Sequence, residues 1–304
     1  AITRDFAVTA DAGATWVPGL VDVASNFAPG DISAVSATTA WVAVYDVSGG
    51  GGIYKTADAG LTWTHQSTAA FDNASSFANV VHMFNENDGY CQGDPINGDF
   101  EIYTTADGGD TWTLLDGANI PDAVSGEMGW TGVAAGIDGV AWFGTSTGRV
   151  FKTTDKGQTW TVHETGEDNV SRLSFADANN GVAICQVNNQ NTGTVTSWSM
   201  VKTSDGGETW NPIAVDDQFL SDVSAVPGEL GMYVGTKISA TAPLNFSAYT
   251  LDFGTTWTVL DDSIQYTNVE MFNDSTGWAG GFNWDENTGG IYKWVELIPS
   301  DAPY

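Results

Sequence analysis

The sequence predicts an all-β fold, a six-bladed β-propeller of four-stranded antiparallel blades, and three observations predict it. The octet Thr-x-Asp-x-Gly-x-Thr-Trp occurs six times, at Thr9–Trp16, Thr56–Trp63, Thr105–Trp112, Thr153–Trp160, Thr203–Trp210 and Thr250–Trp257. Its aspartates, Asp11, Asp58, Asp107, Asp155, Asp205 and Asp252, lie 47, 49, 48, 50 and 47 residues apart. A fixed period of that size means one supersecondary unit repeated, and strand-rich units of this length are propeller blades. Between the octets the chain alternates and breaks as short strands and turns do, without long helical periodicity or an apolar run able to cross a bilayer.

Residues 79–115 show how one unit reads. Val80–Phe84 alternates as a strand, Asn85–Gly89 is turn chemistry, and Tyr90–Gly93 is a second strand before the loop Asp94–Asp99. Phe100–Thr104 is a third strand, and the octet turns the chain into a fourth, Thr111–Leu115. The same order resumes at Ile32, Gly132, Arg172, Asp222 and Asn268. The last unit has Gly290-Ile-Tyr-Lys293, an echo of Gly52-Ile-Tyr-Lys55, but Trp294-Val-Glu replaces its octet. An unused octet stands at Thr9–Trp16. Residues 1–304 therefore read as one domain, with 1–17 completing the last blade and closing the ring, and 297–304 as a tail or linker.

The octet has a structural logic. Its Asp accepts hydrogen bonds from the turn that follows, its Gly suits a positive φ, and its Trp buries a large ring between sheets. Six equivalent copies are read as structural rather than catalytic.

Composition limits the partners. With 38 Asp and Glu against 9 Lys and Arg, the formal net charge is −29, a surface that repels nucleic acid and anionic lipid. It suits a salty extracellular medium. The first residue is Ala1 rather than Met, consistent with an exported protein after signal-peptide removal, extracellular, cell-surface or periplasmic. Cys91 and Cys185 fall two units apart and are read as free thiols. His65, His82 and His163 show no metal spacing.

The octet resembles the Asp-box, or BNR repeat, of sialidases, sortilin-type receptors, some endoglucanases and propellers similar to photosystem II assembly factors. The resemblance covers nearly the whole chain and implies the propeller, while those families share little chemistry. A sialidase-like site implies three arginines clamping a sugar carboxylate. The chain has Arg4, Arg149 and Arg172. Arg149 falls on a third strand, Arg4 lacks the family's sequence context, and Arg172 lies on a first strand. The assembly-factor resemblance implies an arginine cluster, which this chain lacks.

Box turns lie at one end of such a blade, and the longer, varied loops lie at the other, where binding is expected. There Trp130, Trp198 and Trp284 are candidates to stack on sugars or anchor a protein, with packing as the alternative. Asp94, Asp99 and Asp285 are candidate binding acids, and calcium would accept the oxygens of these acidic loops, although no EF-type spacing is present. No metal site or other cofactor is predicted. The leading reading is a non-enzymatic, exported binding or structural module that presents its loops to a protein or glycan. A glycoside hydrolase using Asp94, Asp99, Glu127 or Asp285, and an assembly factor for a membrane complex, are the alternatives.

Overall fold

A computed structural model describes residues 4–46, 51–188, 195–214, 221–231, 233–238, 245–264, 266–281 and 290–294. The described residues form seven antiparallel sheets. β1 (Asp5–Val8) and β2 (Val17–Leu20) make a two-stranded sheet. Four-stranded meanders follow: β3 (Ala28–Ala34), β4 (Ala40–Tyr45), β5 (Gly51–Thr56) and β6 (Thr64–His65), then β7 (Ala78–Met83), β8 (Gly89–Ile96), β9 (Asp99–Thr105) and β10 (Thr113–Leu114). The third comprises β11 (Gly129–Ile137), β12 (Val140–Thr145), β13 (Arg149–Thr153) and β14 (Thr161–Glu164). The fourth holds β15 (Val170–Phe175), β16 (Gly181–Asn188), β17 (Val195–Thr203) and β18 (Asn211–Ile213). The fifth is β19 (Asp222–Ala225), β20 (Tyr233–Ile238), β21 (Asn245–Thr250) and β22 (Thr258–Asp261). The last sheet has three strands, β23 (Tyr266–Asn273), β24 (Thr276–Gly281) and β25 (Gly290–Lys293).

The chain divides into two compact units, residues 1–146 with 151–162, and residues 147–150 with 163–304. In each, the core lies between facing sheets. In the first unit Trp41, Ala43 and Ile53 pack with Val81, Met83, Cys91, Tyr103 and Trp112, and Tyr90, Phe100 and Ile102 pack with Phe143, Phe151 and Trp160. In the second, Val182, Ile184 and Met200 pack with Val223, Ala225 and Tyr233. Both cysteines are buried and free.

Each octet closes as its chemistry predicts. The Asp accepts from the first Thr hydroxyl at 2.8–2.9 Å and from the last Thr amide at 2.8–2.9 Å on one oxygen. Its other oxygen takes the last Thr hydroxyl at 2.5–2.8 Å. The glycine amide donates to the first Thr hydroxyl at 2.7–3.0 Å. These bonds hold the carboxylates in their charged form. At Asp11 the Thr15 hydroxyl, then the Thr15 amide and the Thr9 hydroxyl, bring the pKa down to about 2.

The turn needs two left-handed residues in succession. The fourth octet position has φ of 56–74° and is held by Ala12, Ala59, Gly108, Lys156, Gly206 and Phe253. The fifth has φ of 83–89° and is glycine in all six copies. Side chains are tolerated near the centre of the left-handed well and not past its edge.

β1 pairs with β2 from Asp5↔Leu20 to Val8↔Val17, and among the described residues β25 pairs with β24 alone. The Thr9–Trp16 octet ties its own two flanking strands together. Phe6 meets Trp63 edge-on at 5.7 Å, so this hairpin packs on the β3–β6 sheet.

Gly157→Ala tests the left-handed constraint. Its φ is +88°, and an added Cβ would come within 3.0 Å of the Tyr90 Cβ. A loss of about 1–2 kcal/mol in urea-unfolding free energy is expected, and an unchanged midpoint would refute the constraint.

Candidate functional site

The strand order carries the predicted loop residues to the end of each sheet opposite the octets. β8 carries Asp94 near its end, β9 starts at Asp99, β11 starts at Gly129, and β12 ends at Thr145. Asp94 Oδ1 accepts from Asn79 Nδ2 at 2.8 Å and from the Gly129 amide at 3.0 Å, so it joins two neighbouring sheets. Burial pushes its carboxyl up, and these two hydrogen bonds pull it back in part. Gly129 is thereby fixed, and the chain segment that leads through it carries Val124, Met128 and Trp130, exposed by 47%, 46% and 38%. Three exposed apolar side chains thus lie in the segment that the half-buried Asp94 anchors at Gly129.

Two glutamates at the loop end, the predicted Glu127 and, on β9, Glu101, have both oxygens engaged. Glu127 is buried, and its oxygens accept from the Thr145 hydroxyl at 2.6 Å and the Val124 amide at 3.0 Å. Glu101 is buried too, accepting from Ser76 at 2.6 Å and the Tyr103 hydroxyl at 2.8 Å. Asp99 sits against the backbone of Gly117, where an added Cβ would come within 2.2 Å of its Oδ2. Trp198 is half-buried against the core of the β15–β22 sheets. Trp284 and Asp285, with Glu286 and Asn287, lie outside the described residues. Asp94 and Trp130 are therefore the predicted residues that the structure brings together.

A second set, on the first strands of the sheets, was missed by sequence reading. Asp31 accepts from the Val81 amide at 3.0 Å and Ser33 from the Met83 amide at 2.9 Å. In the second unit Asp222 accepts from the Val269 amide at 2.8 Å and Ser224 from the Met271 amide at 2.9 Å. Ser174 accepts likewise from Ala225 at 2.9 Å. His82 lies over Gly136, where a Cβ would come within 2.1 Å of its Nε2, and burial brings its pKa down to about 4. The available signal was the repeated tripeptide Asp31-Ile-Ser33 and Asp222-Val-Ser224, with Arg172-Leu-Ser174 as a variant.

Burial raises the carboxyls of both Asp31 and Asp222 to about 6. Arg172 Nε lies 3.2 Å from Asp222 and partly offsets the shift there. Glu270 is raised to about 7, by burial first and then by the charge of Asp222. Its side chain is nonetheless reached by solvent.

The arginines are separately engaged: Arg4 donates to the Val23 carbonyl, buried Arg149 lies 3.8 Å from Glu164, and Arg172 pairs with Asp222. Among the described residues no group of three or more His, Cys, Asp or Glu is placed to hold a metal ion.

No protein-family model matches the chain. No curated protein matches it either. Solved structures do resemble it. A GH74 xyloglucanase from Xanthomonas campestris superposes with a TM-score of 0.58 at 12% identity, over 88% of this chain and 47% of that one. YCF48 bound to D1 peptide gives 0.51 at 16% identity over 97% of each chain. The Hadza microbial sialidase Hz136 gives 0.54 at 14% identity over 86% and 64%. The chain thus spans about half the length of the xyloglucanase. Its fold is all-β, built of four-stranded antiparallel sheets and similar to the β-propellers among these structures.

Asp222 supplies a pH test. Its folded pKa, about 6, lies above the unfolded value near 4. The native state therefore binds the extra proton between those pH values, and stability falls as pH rises through the window. Asn at this position keeps an acceptor for Val269 and removes the charge. The wild-type minus Asp222→Asn stability difference should decline by on the order of 1–3 kcal/mol from pH 4 to pH 7. A flat difference in denaturation midpoints would count against the buried charge.

Proposed function

We propose that this chain is a six-bladed propeller and an exported, non-enzymatic binding module, which presents the loop end of its sheets to a protein or glycan partner. The observation that carries the reading is the set of exposed apolar side chains Val124, Met128 and Trp130 in the segment that Asp94 anchors at Gly129. Tryptophan supplies a large, rigid, amphipathic surface, and exposed clusters of this kind mark interaction sites. YCF48 bound to D1 peptide, a structure of similar fold and length, supports a peptide as one form of partner, and the similarity to the xyloglucanase supports a glycan.

Ring closure belongs to the same proposal: residues 1–17 complete the last blade while Phe6 also packs on the β3–β6 sheet, and residues 297–304 serve as a tail or linker. Deleting residues 1–20 should then lower the melting temperature by more than 10 °C. A truncated protein that melts with the parent would leave the hairpin as an appendage.

A second reading rests on Asp222 and Glu270. Paired acids whose environments separate their pKa values are the usual equipment of glycoside hydrolysis. One experiment addresses both readings. Wild type, Trp130→Ala and Glu270→Gln are applied to peptide and glycan arrays and to chromogenic polysaccharides. The binding reading expects capture on an array, at least tenfold weaker for Trp130→Ala, without hydrolysis. Hydrolysis abolished by Glu270→Gln would replace it with the enzyme.

A further inference from the structure

Octet glycines are backed by side chains of neighbouring segments, and at Gly60, Gly157 and Gly254 those contacts are carbon. A Cβ added at Gly60 would meet the Phe6 ring, one at Gly157 would meet Tyr90 and Thr104, and one at Gly254 would meet Ile213. At Gly109 the same point is met by polar atoms instead. It lies 2.6 Å from Gln66 Oε1, 2.9 Å from Trp112 Nε1 and 3.0 Å from Trp41 Nε1. No two of these atoms are therefore more than about 6 Å apart, twice a hydrogen-bond length.

All three side chains are buried: Trp41 is 0% exposed, Trp112 4% and Gln66 8%. None of the three atoms has a hydrogen-bond partner in the protein. Trp160 and Trp210 make a different arrangement, in which the indole N–H donates to the octet's own glycine carbonyl, Gly157 or Gly207, at 3.1 Å. Trp112 makes no such bond. Its amide donates to Thr68 Oγ1 at 2.8 Å, which fixes the start of its strand. Gln66 is held by its backbone, whose amide donates to the Ile53 carbonyl at 2.7 Å and whose carbonyl accepts from the Ala69 amide at 3.1 Å. Its Nε2 donates to the Thr64 carbonyl at 3.3 Å, which leaves Oε1 for the indoles.

We infer that these three atoms hold one water molecule between the β3–β6 sheet, which carries Trp41 and leads into Gln66, and the octet turn of the β7–β10 sheet. Two indole N–H groups need acceptors, and the amide oxygen needs a donor. A water molecule accepts twice and donates once, and three hydrogen bonds are usual for a buried one. Unpaired, the three buried groups would weaken the fold, and the water offsets that at a modest loss of its own freedom. A halide is the competing ligand. The two N–H donors favour it, and so does the Lys55 ammonium, which lies 4.9 Å from the Trp41 ring centre and 2.7 Å from the Gly108 carbonyl. Gln66 Oε1 is an acceptor and repels an anion at the same place. The site lies at the octet end of its sheets and owes nothing to Trp130 or Asp94.

The test follows the assigned indole Hε1 resonances of the whole chain by water-selective NMR, with water and bromide as probes. Trp41 and Trp112 should each show a cross-peak to long-lived water. Trp160 and Trp210, whose N–H groups are bound to carbonyls, should show none. Gln66→Met removes the acceptor at similar side-chain length and should weaken both cross-peaks at least twofold. Sodium bromide should leave both resonances where an equal concentration of sodium fluoride leaves them. Absence of the cross-peaks at Trp41 and Trp112 would overturn the assignment, as would equal cross-peaks at Trp160 and Trp210. So would cross-peaks that Gln66→Met leaves at full strength. A saturable bromide shift at Trp41 and Trp112 would replace the water with a halide. If Gln66→Met does not fold, the wild-type cross-peaks and the bromide titration decide.

Discussion

The first strand of each meander has a partner strand on one side only, and its other edge presents backbone amides that must find acceptors. A buried amide without a partner costs about 1–3 kcal/mol, so a fold that aligns several such edges needs a regular answer. Here it is a side-chain oxygen from the sheet before. Asp31 and Ser33 serve Val81 and Met83, and Asp222 and Ser224 serve Val269 and Met271. One residue separates the two acceptors because side chains alternate along a strand. This register places neighbouring first strands side by side, and the apolar walls of each gap then meet. The acids so placed are expensive to ionise, which explains the raised carboxyls of Asp31 and Asp222.

A second consequence concerns cations. Lys55 reaches the Gly108 carbonyl at 2.7 Å, across to the next octet turn, and Lys202 reaches the Phe253 carbonyl at 3.0 Å in the same way. Lys156 pairs with Asp88, Arg149 lies near Glu164, and Arg172 pairs with Asp222. Five of the 9 Lys and Arg residues thus hold turns or strand edges. The surface left to meet a partner is dominated by carboxylates. That balance favours partners that are neutral or cationic and disfavours phosphate-bearing ones.

What the sequence disclosed follows from the range of each interaction. The octets were legible because every partner of the Asp lies within four residues, so the turn is written locally. The meanders were legible because the octets punctuate them. The hairpin of Asp5–Val8 with Val17–Leu20 was harder, because an octet fixes its own two strands and says nothing of a third. Asp31 and Asp222 were hidden because their partners are 50 and 47 residues away, and only strands aligned to each other reveal the shared tripeptide. Glu127 read as a free loop acid until Thr145 and the Val124 amide were placed on its two oxygens.

That last point decides how the acids should be ranked. A carboxylate acting as general acid or base must exchange its proton with substrate or water, so it needs an oxygen that is not committed elsewhere. Glu101 and Glu127 have both oxygens engaged and are buried, which makes them structural despite their place at the loop end. Glu270 has the opposite character: it is raised to about 7, reached by solvent, and set near the charge of Asp222. A raised carboxyl here is equally the result of packing acids along adjacent first strands, because burial is its first cause. Trp130, by contrast, is 38% exposed at the loop end of β11 and offers an amphipathic ring that a partner can reach. Binding through Trp130 therefore rests on an accessible aromatic group, whereas the Glu270 environment follows from the same edge-satisfying register that builds the sheets.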